Sequence, residues 1–281
     1  MNNKKARTAE RFAPATQHGN TNLIGSDQWN ISWAAAAPPI RLRAWRDYVS
    51  WRLSRLFREC IHAGDRILEV GCGGSAFLPY FARDLGAKVW GLDFSPAGVA
   101  NAKAALARAG VSGTIIPGDL FTCKDIPFST FDAVFSAGFI EHFTDTADVL
   151  RRIIRFAKPR SGLIITTVPN MGGAIGAVHK RLARDFYAQH VALTPELLDS
   201  IHCQAGATPV QRAEYFGSIC LGVVNYEQAL RRLPRLLITM ARRTLEIPQF
   251  LITLPLWALR TKIETASFSP YIVGVYRRTG T

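Results

Sequence analysis

The feature that most constrains this chain of 281 residues is a glycine-rich turn directly after a short apolar run. Residues 67–70 predict a buried strand, with Glu69 near its end, and the glycines of the 71–74 stretch follow at once. Glycine lets the backbone turn tightly and lets a ligand lie against bare peptide groups. A helical pattern begins at Phe77, so the sequence predicts a strand–turn–helix unit of an α/β fold.

The turn favours a cationic ligand over a phosphate. Its glycine spacing differs from the G-x-G-x-x-G fingerprint of dinucleotide sites. The carboxylate of Glu69 would repel a pyrophosphate, whereas it would attract a ligand that carries a sulfonium and an ammonium group. We therefore expect the cofactor to be S-adenosylmethionine.

Three further predicted strands end at Asp93, Asp119 and Ser136. In open α/β sheets, ligands bind at the carboxyl ends of the strands. Asp93 lies about twenty residues beyond the glycine turn, where such sheets grip ribose hydroxyls. Asp119 suits the exocyclic amine of an adenine, although an aspartate after Pro-Gly also makes good turn chemistry.

This order of motifs resembles the class I S-adenosylmethionine-dependent methyltransferases, over residues 65–217 and a closing strand at 271–277. The resemblance implies a doubly wound, mostly parallel, seven-stranded Rossmann-like sheet. It also implies a set of cofactor-binding residues, namely Glu69, Gly71, Cys72, Gly73, Asp93, Phe94, Asp119, Leu120 and Ser136.

Residues 139–143, 166–170 and 190–198 resemble the small-molecule branch of that class, which includes ubiquinone-pathway O-methyltransferases. Members of this branch can hold a divalent metal with a Glu-x-x-Glu-His motif. Gly138 stands here in place of the first glutamate. The sequence therefore predicts no metal site.

The candidate catalytic groups are two histidines, because methyl transfer to a hydroxyl calls for a base near neutral pH. His142 follows the fourth predicted strand, and His190 precedes a Leu-Thr-Pro-Glu motif. Either side chain could instead orient its loop by hydrogen bonding. Glu141 is a helix-entry residue, a metal ligand or a partner of His142, and Asn170 either bonds the acceptor or closes a turn.

The predicted organisation has four parts. These are a flexible tail (1–20), an N-terminal helical lid (21–62), a methyltransferase domain (63–219 with 270–281) and a helical amphipathic insert (220–269). Apolar residues recur at helical spacing over 41–59, which predicts a helix that packs on the sheet or covers the pocket. As part of a lid, Trp29 and Trp33 would wall the acceptor site.

The insert separates the last two predicted strands by far more residues than an ordinary connection contains. Residues 247–259 are almost wholly apolar, but a bilayer span needs about twenty such residues. Arginines precede this run, and Trp257, Arg260 and Lys262 close it. We expect an anionic membrane surface as its partner, with a substrate cap or a homodimer contact as the alternatives.

The predicted activity is methyl transfer to a hydroxyl, less favourably an amine or carbon, of a small or lipid-linked metabolite. Because the net charge is +13, an RNA methyltransferase is an alternative. No base-methylation motif of the Asn-Pro-Pro-Tyr type follows the fourth strand, however, and nucleic acid is a disfavoured partner. A non-catalytic cofactor-binding subunit is the alternative of another class. Five scattered cysteines and no visible secretory signal predict a cytoplasmic protein, peripheral on the inner membrane face.

Overall fold

A computed structural model describes residues 15–17, 20–35, 42, 48–218 and 263–280, with single positions or short groups between 233 and 259. The strands are β1 (Ala15–Gln17), β2 (Asn20–Asn22), β3 (Arg66–Val70), β4 (Lys88–Asp93), β5 (Thr114–Pro117), β6 (Ala133–Ala137), β7 (Leu163–Pro169), β8 (Ala207–Phe216) and β9 (Tyr271–Arg278). The helices are α1 (Ser26–Ala35), α2 (Tyr48–Cys60), α3 (Phe77–Asp84), α4 (Pro96–Ala109), α5 (Thr146–Ile154), α6 (Ala174–Leu182), α7 (Arg184–Ala188) and α8 (Pro195–Gln204), with a 3₁₀ turn at Ile140–His142.

Seven strands form one sheet in the order β5-β4-β3-β6-β7-β9-β8. The strands from β5 to β7 in this order run parallel, and β9 lies antiparallel between β7 and β8. The chain runs from β3 outward to β5 and then returns to β6 on the other side of β3. The carboxyl ends of β3 and β6 therefore flank the crevice in which such sheets bind ligands. The predicted doubly wound, seven-stranded fold is confirmed.

The sheet is buried on both faces. Leu68 and Val70 belong to one apolar cluster, and Ile67 belongs to the cluster on the opposite side. Three of the helices, α4, α5 and α8, begin at side-chain caps, because the first amides of a helix have no partner within it. The Ser95 hydroxyl accepts a hydrogen bond from Gly98 N at 3.1 Å, and Thr194 does the same for Leu197 N at 3.2 Å.

Two element boundaries differ from the sequence-based prediction. The predicted tail ends in a hairpin, since β1 pairs antiparallel with β2. The third strand ends at Pro117; Gly118 N makes its last hydrogen bond to β4, at the Asp93 carbonyl, and Asp119 accepts from Phe121 N in the turn that follows. The helix expected over 41–59 is described only as α2, and 43–47 lie outside the described residues.

Most of the predicted insert lies outside the described residues, including Asn225, Phe250, Trp257 and Lys262. The described positions from 236 to 258 have helical backbone. Their neighbourhood is rich in exposed apolar side chains, namely Leu236, Leu237, Met240, Ile247, Leu251, Leu254 and Leu259. In the part of the chain that the structure describes, no helix combines the length and the apolar character needed to span a bilayer.

Candidate functional site

Two adjoining cavities lie at the carboxyl ends of the central strands. The larger has a volume of about 400 Å³ and extends from Glu69 to an aromatic wall formed by Trp29, Trp33, Phe77, Phe139, His142 and Phe143. The smaller, of about 80 Å³, contains Asp119 and Leu120 in its lining. Both cavities are lined by Asn22, Gly71, Asp93, Phe94, Phe139 and Phe143. The crevice is therefore a groove with an open, aromatic end and a narrower end.

The glycine turn is closely covered by side chains. A Cβ added to Gly71 would lie 2.5 Å from Cδ2 of Phe139, and one added to Gly74 would lie 2.6 Å from the Trp33 ring. Both glycines also have positive φ angles, +76° and +79°, which other residues rarely adopt. The Gly71 and Cys72 amides donate to the Leu92 carbonyl. A ligand would therefore contact this turn by packing and not through those two amides.

Glu69 is a buried carboxyl in the wall of the larger cavity. Burial raises its pKa to about 8; the Ser75 hydroxyl, which donates to Oε2 at 2.7 Å, lowers it in part, and nearby Asp93 adds repulsion. An ionised carboxylate in this position lacks a cationic partner among the described residues, so a ligand cation would stabilise it.

Asp93 already binds the protein with both of its oxygens. Oδ2 accepts from Gly73 N at 2.7 Å, and Oδ1 accepts from Ser95 N at 2.8 Å. Burial raises its pKa above the ordinary value, and these two amides oppose that shift. A carboxylate offers about four acceptor sites, so it can still bind two hydroxyl groups from the cavity.

The predicted cofactor-binding residues divide into those that line the groove and those that do not. Glu69, Gly71, Gly73, Asp93 and Phe94 line the larger cavity, and Asp119 and Leu120 line the smaller one. Neither lining contains Cys72 or Ser136.

Cys72 and Ser136 are both buried within the sheet region. The Cys72 sulfur packs beneath Gly91, 2.5 Å from the place that a Cβ there would take. Burial, with Glu69 and Asp93 nearby, raises the pKa of this thiol well above its ordinary value. Cys72 thus belongs to the packing of the turn and is not placed to act as a nucleophile.

Helix α1 crosses the groove and is held at both sides. Leu23 N donates to the His142 carbonyl at 2.8 Å. Asn30 Oδ1 accepts from the Ser95 hydroxyl at 2.7 Å, and Asn101 Nδ2 donates to the Trp33 carbonyl at 2.7 Å. The Asn30 contact was not expected from the sequence, because a polar residue within a helix gives no signal of its partner.

Trp29 and Trp33, which the sequence predicts at the acceptor site, line the larger cavity. Trp29 and Trp33 stack with ring centroids 5.9 Å apart, and the Trp29 ring meets the edge of His142 at 5.2 Å. The expectation that both line the pocket agrees with this geometry.

The predicted catalytic histidines lie side by side, with ring centroids 4.6 Å apart. His142 Nδ1 lies 2.8 Å from the Gln189 carbonyl, and His190 Nδ1 lies 2.7 Å from the Phe186 carbonyl. Because a carbonyl can only accept, both Nδ1 atoms donate, and the neutral rings carry their lone pairs on Nε2. Only His142 reaches the cavity wall, with His190 behind it.

Burial keeps both imidazoles neutral. It lowers the pKa of His142 to about 3, with His190 adding to the shift and the carbonyls of Gln189 and Gly138 opposing it. Burial likewise lowers the pKa of His190 to about 4. Both rings can accept a proton or bind a cation at neutral pH, although their low proton affinity makes them weak bases.

Glu141 lies beside the two histidines and is 1% exposed. Its Oε1 is 3.8 Å from His142 Nε2, and burial raises its pKa to about 8, opposed by the nearby Phe139 and Glu141 amides. Donor atoms of Glu141, His142 and His190 all lie within 4.8 Å of one another. These three residues form a donor set that fits the divalent metal of the small-molecule branch.

Asn170 is engaged in the protein itself. Its Nδ2 donates to the carbonyls of Ala266 and Ser269 at 2.8 and 2.9 Å, and the residue is buried. Of the two roles left open by the sequence, the geometry supports the structural one, in which Asn170 holds the turn before β9.

Comparison with known proteins finds a match to the central part of this chain. Residues 68–165 match a family model described as a methyltransferase domain. A ubiquinone biosynthesis O-methyltransferase of Xanthomonas oryzae pv. oryzae is 33% identical over 136 residues, which cover 47% of this chain and 51% of that protein. The chain thus spans about half the length of the curated relatives it matches.

Two solved structures share the fold. Phosphoethanolamine N-methyltransferase 2 of Haemonchus contortus, in complex with S-adenosyl-L-methionine, has a TM-score of 0.56 and 18% identity, over 92% of this chain and 58% of that one. The [4+2]-cyclase SpnF has a TM-score of 0.58 and 19% identity, over 92% and 98%. At such identities the likeness shows the fold alone.

Residues 68–165 are therefore a methyltransferase domain. The predicted resemblance to S-adenosylmethionine-dependent methyltransferases, the class for which this compound is the cofactor, is confirmed for this domain.

Proposed function

We propose that this chain is an S-adenosylmethionine-dependent methyltransferase that acts on a hydroxyl of a small or lipid-linked metabolite. The observation that carries the proposal is the buried Glu69 carboxyl at the glycine turn, beside Asp93, in a cavity of about 400 Å³. Such a carboxyl selects a cationic ligand. The name of the Xanthomonas relative, an O-methyltransferase, supports a hydroxyl as the acceptor atom.

The groove suggests how the cofactor would lie. Its ammonium group would face Glu69, its ribose hydroxyls would bind Asp93, and its adenine would occupy the smaller cavity with Asp119 and Leu120. The methyl group would then face the aromatic end of the larger cavity. An acceptor held there would be positioned for direct displacement and shielded from water, which are the main requirements of methyl transfer.

His142 is the candidate proton acceptor. Its imidazole lies in the wall at the aromatic end of the larger cavity, where the acceptor would bind. Because its Nδ1 donates to the Gln189 carbonyl, its Nε2 is unprotonated. His190 lies behind it and supports the ring. Transfer to a hydroxyl releases one proton for each methyl group, so a group that accepts it must lie nearby.

Calorimetry with S-adenosylmethionine and its demethylated product tests cofactor binding directly. We expect binding in the micromolar range, at least tenfold weaker in Asp93→Asn and unchanged in Asp84→Asn, a carboxyl at the end of α3 outside the groove. Equal binding of NAD, or no binding of either ligand, would contradict the proposal.

Labelled cofactor incubated with lipid and metabolite extracts would then identify the acceptor.

We also propose that the insert brings the protein to an anionic membrane surface. Leu236, Leu251 and Leu259 are 70%, 62% and 75% exposed. The sequence places basic residues around them, namely Arg231, Arg232, Arg235, Arg242, Arg243, Arg260 and Lys262. Anionic headgroups attract each basic residue near the surface by about 1 kcal/mol, and apolar side chains enter the acyl boundary.

Flotation with lipid vesicles tests this location. The protein should float with vesicles containing phosphatidylglycerol, less with neutral phosphatidylcholine and less at high salt. Leu236→Glu with Leu251→Glu should reduce flotation severalfold, whereas Val210→Glu, at an exposed apolar position on β8, should not. Indifference to vesicles would exclude the membrane. Steeply salt-dependent RNA binding would instead support an RNA methyltransferase.

A further inference from the structure

The carboxyl of Glu141 is the buried polar group that the proposed methyl transfer leaves without a role. It is 1% exposed, and neither of its oxygens has a hydrogen-bond partner of good geometry among the described residues. A buried carboxylate without a partner is costly, so it calls for a proton or a cation.

Two imidazoles stand next to this carboxyl with the right atoms available. His142 Nε2 is 3.8 Å from Glu141 Oε1, and one donor atom from each of Glu141, His142 and His190 falls within a 4.8 Å cluster. With each Nδ1 bound to a carbonyl, Nε2 is the nitrogen that each ring can offer to a cation. This arrangement, in which the second nitrogen is fixed by a hydrogen bond, is the usual one for metal-binding histidines.

The structure also shows why the third donor comes from a distant segment. A Cβ at Gly138 would lie 3.6 Å from Glu141 Oε1, so a glutamate at this position would border the same carboxyl. Gly138 has a φ of +62°, which disfavours that residue. His190 is held against the site instead, because its neighbour Val191 donates from N to the Glu141 carbonyl at 2.7 Å.

We propose that Glu141, His142 and His190 bind one first-row divalent cation of the zinc type beside the larger cavity, whose wall His142 alone of the three residues reaches. Two imidazoles and one carboxylate favour Zn²⁺, Co²⁺ or Fe²⁺, whereas Mg²⁺ prefers oxygen ligands throughout. Metal–ligand distances are about 2.0–2.2 Å, so the three side chains must draw together by about 1 Å around the ion.

The proposal assigns a binding property to the pocket and deepens the proposed methyl transfer. In the loaded protein His142 would be held as a ligand, and the metal-free protein would be the form in which His142 accepts the proton. Metal binding is measured without any methyl transfer. A failure of this inference is therefore distinguishable from a failure of the proposed methyltransferase activity.

Titration of the full, metal-free chain with Co²⁺ tests the site. We expect one equivalent of Co²⁺ to bind and to give visible d–d absorption. Zn²⁺ should displace the bound Co²⁺, whereas a large excess of Mg²⁺ should not. Glu141→Gln and His190→Ala should each weaken Co²⁺ binding at least tenfold. His62→Ala, which removes an exposed histidine outside the cluster, should leave both the spectrum and the affinity unchanged.

Circular dichroism and binding of the demethylated cofactor show whether each variant is folded, and His190→Asn serves as a second variant if His190→Ala is not. Absence of cobalt absorption, cobalt binding that Glu141→Gln and the His190 variants leave unchanged, or displacement of Co²⁺ by Mg²⁺ at similar concentration would each overturn the proposal.

Discussion

Glu69 shows how burial alone can prepare a carboxyl for a cationic ligand. Its pKa of about 8 means that the carboxyl of the free protein holds its proton through most of the neutral range. A cation bound beside it favours the ionised form. Cofactor binding should therefore release a proton from Glu69, and the affinity should rise as the pH increases from 6 toward 8.

Calorimetry in buffers of different ionisation enthalpy measures this proton. At pH 7 the wild-type protein should release up to one proton on binding S-adenosylmethionine. Glu69→Gln should release none and should bind about tenfold more weakly, since it loses the charge interaction. Glu196→Gln, an exposed carboxyl in the first turn of α8, should behave as wild type. Equal proton release in Glu69→Gln would contradict the assignment.

Two features of Gly74 disfavour any other residue there, namely its positive φ angle and the Trp33 ring beside it. Its φ is +79°, and an added Cβ would meet the Trp33 ring at 2.6 Å. Gly74→Ala should lower the free energy of unfolding by about 2–3 kcal/mol. Gly110→Ala has a similar φ of +68° with nothing within 4 Å of the added Cβ, so it should cost only the backbone strain, about 1 kcal/mol.

Chemical denaturation measures both values, and a double variant separates the two terms. Replacing Trp33 by alanine removes the ring that the new methyl group would meet. Gly74→Ala should therefore cost less in the Trp33→Ala background than in the wild type. An identical cost in both backgrounds would show that the Trp33 contact does not matter.

At the scale of elements, α1 packs on α4 and covers the glycine turn of the groove. Asn30 and Asn101 anchor it to the start of α4, and Trp33 lies over Gly74. Trp33→Ala should increase the dissociation rate of the demethylated cofactor at least severalfold, because the ligand loses its cover. Ile31→Ala, on the same helix but 71% exposed, should leave that rate unchanged. Stopped-flow fluorescence measures the rates, and equal rates in both variants would contradict a covering role.

The elements that the sequence predicted well are those with a strong local pattern. The turn at 71–74 and the strand-end acids Asp93 and Asp119 follow apolar strands, so their place at one edge of the sheet could be anticipated. The fold class follows from their order. By contrast, the pairing of β1 with β2 depends on hydrogen bonds between polar residues, which leave no hydrophobic period in the sequence.

The finer parts of the site depend on contacts between distant segments. Phe139 covers Gly71, and His190 contacts His142 from the loop after α7. Side-chain direction decides such contacts, and the period of a single strand or helix does not reveal it. For the same reason the sequence could not show that the sulfur of Cys72, in the turn predicted to bind the cofactor, points into the core.

For the molecule as a whole, five buried groups shape the dependence of stability on pH. The pKa values of His142, His190 and His202 are lowered to about 3, 4 and 4, and those of Glu69 and Glu141 are raised to about 8, in each case chiefly by burial. Between pH 4.5 and 6.5 the unfolded chain binds protons at the histidines that the folded chain does not, so stability rises with pH there. The two carboxyls oppose this trend.

These contributions predict a pH at which the free energy of unfolding is greatest. In the lower window the three histidines, together with His179, whose pKa burial also lowers, outnumber the two carboxyls, so the free energy of unfolding increases with pH. Above about pH 6.5 the histidine contribution is complete, and the two carboxyls, still protonated only in the folded state, make stability fall up to about pH 8. Urea denaturation across this range should find a maximum near pH 6.5, and Glu141→Gln should flatten its alkaline side.

His202 gives the sharpest test, because it lies in the core away from the groove. Its Nδ1 donates to the Leu198 carbonyl at 2.8 Å, its Nε2 lies 3.0 Å from the Thr166 hydroxyl, and its ring stacks on Tyr276 with centroids 3.6 Å apart. Burial lowers its pKa to about 4 despite the opposing charge of Asp199. Protonation would place a charge in this desolvated site, so the folded state resists it.

Replacing His202 by glutamine should therefore have two separate effects. The variant should be less stable at pH 7.5, because it loses the stacked ring. Its loss of stability between pH 6.5 and 4.5 should nevertheless be smaller than that of the wild type, by at most about 3 kcal/mol for one histidine. His62→Gln, at a side chain that is 75% exposed, should leave the acid slope unchanged. An unchanged slope in His202→Gln, measured by urea denaturation at each pH, would show that this histidine takes up its proton in the folded state.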